Sequence, residues 1–72
     1  MRKFIIVWTY IGNYSEKANH VEAPDPITAI KERYHFYRED FFDKARFYIF
    51  EPASGDFHEG SLFELETQLN ES

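Results

Sequence analysis

Residues 2–10 read R-K-F-I-I-V-W-T-Y, and this stretch decides the architecture. Beyond its two basic residues, the run from Arg2 to Tyr10 is entirely β-branched or aromatic, the composition of a β-strand. Alternation sends Phe4, Ile6, Trp8 and Tyr10 to one face, and Ile5, Val7 and Thr9 to the other. Both sets are mostly apolar, so the strand is expected in the interior of a sheet covered on both sides.

Ile11 to Ser15 (I-G-N-Y-S) follows, with Gly12-Asn13 as the turn signal. A second, more polar strand is expected from about Glu16 to Ala23, and its weak alternation suits an edge. Pro24-Asp25-Pro26 then punctuates the chain. Asp25 can accept backbone N–H bonds as an N-cap, and Pro26 at the first helical position wastes no donor. Ile27, Ile30, Tyr34, Tyr37 and Phe41 recur at spacings of three or four. That periodicity predicts one helix from Pro26 to Phe41, with Lys31, Glu32, His35, Arg38 and Glu39 on its solvated sides.

Ala45 to Glu51 reads as a third strand, again apolar on both faces, with Phe47 and Ile49 on one and Tyr48 and Phe50 on the other. Pro52 to Asp56 is a turn, and Phe57 to Gly60 a short fourth strand paired with the third. Ser61-Leu62-Phe63-Glu64 fits a capping box, and Leu62, Leu65 and Leu69 give a short C-terminal helix an apolar stripe. The order is β-β-α-β-β-α. It predicts an α+β fold in a single domain, residues 1–72: a four-stranded, largely antiparallel sheet with one main helix on one face and a short C-terminal helix. Two central strands apolar on both faces require a second covering layer. The C-terminal helix, a second copy of the chain in a homodimer, or a partner could supply it.

At 72 residues without a single cysteine, no disulfide or thiolate-bound zinc can staple the fold, and the core must come from side chains. Eight Phe, five Tyr and one Trp compensate, since each aromatic ring can bury about 150–250 Å². The longest apolar run, Phe4 to Trp8, is too short to cross a membrane. Met1-Arg2-Lys3 imitates the start of a signal peptide, but no adequate apolar stretch or cleavage site follows. A cytoplasmic protein is the expectation.

Charge is unevenly placed. Residues 1–50 carry eight basic and seven acidic side chains, a net of +1, whereas residues 51–72 carry six acids and no Lys or Arg. The acids Glu51, Asp56, Glu59, Glu64, Glu66 and Glu71 therefore account for the overall net charge of −5. Such a balance repels polyanions and argues against direct nucleic-acid binding.

The chemistry-bearing residues form no reactive constellation. There is no glycine-rich phosphate loop, no G-x-S-x-G and no H-E-x-x-H. His20, His35 and His58 fall on different elements, and His35 with Glu39 at i, i+4 supplies only two metal ligands. No catalytic, metal or cofactor residue is expected, and the chain reads as a non-enzyme. Lys44 to Phe50 (K-A-R-F-Y-I-F) lacks the glycine of the aromatic signature in RNA-recognition motifs, and the element order differs.

Binding remains. Trp8, Tyr10, Tyr48 and Phe50 could anchor a partner on an aromatic sheet face, with Glu59, Glu64, Glu66 and Glu71 as an acidic contact. The leading expectation is a small acidic intracellular protein-interaction module, a regulator or inhibitor of a larger protein. The alternative is an acidic decoy that mimics nucleic acid and blocks a nucleic-acid-binding protein. A weaker third reading is single-strand nucleic-acid binding on the aromatic face.

Overall fold

Antiparallel pairing organises the chain around its first strand. The computed structural model describes residues 1–15 and 17–70; the expected strand start Glu16 and the acidic Glu71 lie outside the described residues. Strand β1 (Arg2–Tyr10) pairs on one side with β2 (Asn13–Tyr14) and β3 (Asn19–Ala23). On its other side lies β4 (Arg46–Glu51), followed by β5 (Asp56–Gly60) at the far edge. The first strand is interior, and the weakly alternating β3 is an edge, as its sequence implies.

Of the second strand expected from about Glu16 to Ala23, Asn19–Ala23 forms β3, while Asn13–Tyr14, expected within the turn, forms the additional strand β2; the sheet has five strands, with two where one was expected. Thr9 pairs with Tyr14 but Ile6 pairs with Asn19, so the edge chain carries more residues between its paired pieces than β1 does. Ser15 bridges the interruption. Its hydroxyl accepts from the Trp8 amide at 3.1 Å, and its own amide donates to the Trp8 carbonyl at 3.0 Å. Backbone groups that a regular ladder would pair are thus satisfied by one side chain and one amide. The connecting turn is formed by Ile11 (φ 42°) and Gly12 (φ 80°), one residue earlier than the Gly12-Asn13 signal suggests. Positive φ at both central residues is the hairpin geometry that matches strand twist.

The expected single helix is also two. Helix α1 (Pro26–Arg33) starts as the sequence implies: the Thr28 amide and hydroxyl both donate to the Asp25 carboxylate, at 2.8 and 2.9 Å, and Pro26 opens the first turn. It ends at Tyr34 (φ −115°, ψ 25°), and a turn leads to α2 (Glu39–Lys44). The cause lies in Tyr34-His35-Phe36-Tyr37. Four consecutive aromatic rings are weak helix formers. His35 Nδ1 donates to the Glu32 carbonyl at 2.8 Å, and Tyr34 is drawn into the core, where Asn19 Nδ2 donates to its hydroxyl at 2.8 Å. His35 and Glu39 therefore do not share a helix face.

Helix α3 (Leu62–Asn70) begins at Ser61, whose hydroxyl accepts from the Glu64 amide at 3.2 Å. Its apolar stripe settles where the second layer is. Leu65 is buried in one cluster with Ile30, Tyr34 and Phe41 from the other helical segments and Phe4, Ile6, Phe47 and Ile49 from the sheet. All helices cover the same sheet face. The expectation of cover on both sides is not met among the described residues, because α3 packs beside α1 and α2. No described helix is long and apolar enough to cross a membrane.

Candidate functional site

The uncovered sheet face is the most distinctive surface. Register fixes its members: Ile5 lies between His20 and Phe50, with Phe57 beyond, and Val7 adjoins Tyr48, with Glu59 beyond. Thr9 lies between Tyr14 and Arg46, and Lys3 lies beside Glu22. Residues paired this way share one face of the pleat. Ile5, Val7 and Tyr48 are half-buried by their neighbours, while Phe50 and Phe57 are 38% and 56% exposed. The apolar centre is thus continuous across three strands, a pattern that marks interaction sites when its rim is polar. That rim is here. Lys3 Nζ is 3.9 Å from Glu22, and Arg46 Nη1 is 3.6 Å from Glu64 at the start of α3.

The four aromatics expected on one sheet face lie on two. Tyr48 and Phe50 project from the open face, whereas Trp8 and Tyr10 belong to the helix-covered face. Trp8 meets Phe41 edge-on, with ring centroids 5.4 Å apart, and Tyr10 lies 5.3 Å from the same ring. Together with Tyr37, stacked on Phe41 at 4.3 Å, they line a shallow trough of about 410 Å³ with Arg38 and Asp40 at its edge. Phe41 fills the floor, so these rings chiefly pack the helix α2 against β1.

The acidic side chains are dispersed rather than aligned. Glu59 is exposed on the open face beside Tyr48. Glu64 pairs with Arg46, and Glu66 with Lys31 of α1 at 3.4 Å. Glu51 is buried and accepts two bonds from the Arg2 guanidinium, at 2.7 and 2.8 Å, and a third from the Ser54 hydroxyl at 3.0 Å. The Arg2 bonds, then the Ser54 bond and the Arg2 charge, hold the Glu51 carboxyl below the usual carboxylate range against the opposing effect of desolvation. In the sequence Glu51 stands simply as the first of the six acids of the C-terminal part. No local pattern connects residue 2 with residue 51, so only the fold could reveal the pair.

A polar groove of about 730 Å³ runs between α1, α3 and the outer edge of β5, with Asp25, Thr28, Lys31, Asp56, His58 and Glu66 along it. Its groups are partly engaged with one another: Asp25 caps α1 and Lys31 bridges to Glu66. Among the described residues, no three His, Asp or Glu side chains converge where they could hold a metal ion. Among the same described residues, no buried side-chain nitrogen or oxygen lacks a hydrogen-bond partner.

Phe57, Ile5 and Val7 are the members of the apolar centre that the expected site omitted. Strand alternation carried the signal, since Ile5 and Val7 stand opposite Trp8 and Tyr10 in the pleat. Which of the two apolar faces stays open depended on where α3 packs. Comparisons with protein-family models, with curated proteins and with solved structures gave no match for this chain.

Proposed function

We propose that this chain is a protein-interaction module that docks another folded protein on its open sheet face. The observation that carries the reading is the continuous apolar centre of Ile5, Val7, Tyr48, Phe50 and Phe57, rimmed by charge and left uncovered by all three helices. Aromatic side chains surrounded by polar groups are the usual anchors of such contacts. The absence of cysteine fits a reducing compartment, where such a module would act.

The acidic-decoy reading draws less support. Glu51, Glu64 and Glu66 are each committed to a basic side chain of the same molecule, and their positions trace no phosphate-like line. The expected contact residues accordingly narrow to Tyr48, Phe50 and Glu59, joined by Ile5, Val7 and Phe57.

Photo-cross-linking tests the proposal. A photoreactive benzoylphenylalanine is placed at Phe57, on the open face, or at Phe63, which is 76% exposed on α3. On irradiation in the expressing cell, Phe57 should yield a discrete protein adduct and Phe63 none. No adduct from Phe57, or equal adducts from both positions, would contradict a docking role for the sheet face.

A further inference from the structure

Resting on that reading, we infer that the occupant of the open face is a second copy of this chain, packed sheet against sheet about a two-fold axis. Charge is the first argument. The molecule carries a net −5, so two copies repel unless they meet where charge is balanced. The open face is such a place: its basic side chains Lys3 and Arg46 match its acids Glu22 and Glu59 in number, Arg46 also reaching Glu64 at its edge, and the other acids among the described residues lie on α3, at the strand ends or on the helical side.

Symmetry is the second argument. A two-fold axis parallel to the strands, set between β1 and β4, lays β4 of the second copy over β1 of the first. Because Ile5 pairs with Phe50 and Val7 with Tyr48 in register, that operation sets Ile5 against Phe50 of the second copy and Val7 against its Tyr48. Apolar meets apolar at Ile5, Val7, Tyr48 and Phe50, Phe57 at the flank meets His20 of the second copy, and no charged group is forced into the centre. Face-to-face packing at about 10 Å is the ordinary spacing of stacked sheets.

Size is the third argument. The molecule measures 30 × 28 × 19 Å, and its thin direction corresponds to one sheet plus one helical layer. The broad face is comparable with the ~800 Å² per partner that a standard stable interface occupies.

Light scattering after size exclusion, from about 1 μM to about 1 mM, tests the inference. The full chain should pass from its 8.7 kDa monomer mass to twice that value as concentration rises. Phe50→Glu should weaken the association by about tenfold or more, since it inserts a charge into the apolar centre, and Phe57→Ala, which removes the flanking ring, should independently weaken it by about threefold or more. Phe63→Glu should leave it unchanged. All three sites are exposed, and far-ultraviolet circular dichroism checks that each variant retains its fold. A monomer at every concentration overturns the second copy as occupant. An association lost with Phe63→Glu but not with the sheet variants overturns it too. A Phe57 cross-link to a different protein, with a monomeric mass throughout, refutes the self-association while the docking role stands. Absence of any Phe57 adduct refutes both.

Discussion

Ile11 is a β-branched residue held at φ 42° on the tip of the first hairpin, with 68% of its surface in solvent. The left-handed region crowds a branched Cβ against the backbone, while Asn tolerates it. Ile11→Asn should therefore stabilise the fold by about 1 kcal/mol, read as a higher urea midpoint. An unchanged or lower midpoint would mean that the side chain makes a contact worth the strain. At the opposite end of β1, the Arg2–Glu51 pair makes stability depend on acid. Because the folded Glu51 carboxyl titrates below its usual range, its contribution is complete above the unfolded value. It is lost as pH falls through the depressed folded value. Glu51→Gln should destabilise the protein at neutral pH and flatten the decline of thermal midpoint below the ordinary carboxylate range. An equally steep decline in the variant would assign the acid sensitivity to other carboxylates, of which Asp25, lowered chiefly by the Thr28 amide, is the first candidate.

Elements show where sequence patterns suffice and where they do not. The start of α1 was legible to the residue, because a cap needs only Asp25 and the amides that follow it. The break at Tyr34 was not. Ile30, Tyr34, Tyr37 and Phe41 keep helical spacing across the turn, and all meet the core or one another, so periodicity reads straight through an interruption set by tertiary packing. Strand alternation likewise identified two apolar faces on β1 and β4. It could not say which face α3 would take, since that depends on the link from β5. Gly60 makes that link: it lies opposite Phe47, at φ 147°, with α3 folding directly over it. A Cβ there would stand 3.0 Å from Glu64 Oε2 and 3.1 Å from Glu64 Cβ. Gly60→Ala should cost about 1–3 kcal/mol, from backbone strain and this crowding together. A variant with unchanged chemical-denaturation stability would show that α3 can shift without loss.

The whole molecule is a two-layer structure with one layer's face left open, built from few residues and many rings. Placing all helical segments on one side gives Phe4, Ile6, Phe47, Ile49 and Leu65 complete burial. The half-exposed aromatics on the other side are the basis of the proposed association. The net charge, legible in the sequence as a property of the C-terminal part, matters here mainly by leaving the sheet face neutral. The most direct test of the account is solvent accessibility of the Ile5 and Val7 methyl groups, measured by NMR with a soluble nitroxide at low and high protein concentration. Broadening of both in dilute protein, and protection at high concentration while exposed Ile11 stays broadened throughout, is the predicted result. Protection of Ile5 and Val7 even at high dilution would mean that the chain covers this face itself. Broadening at every concentration would mean that no second copy docks there.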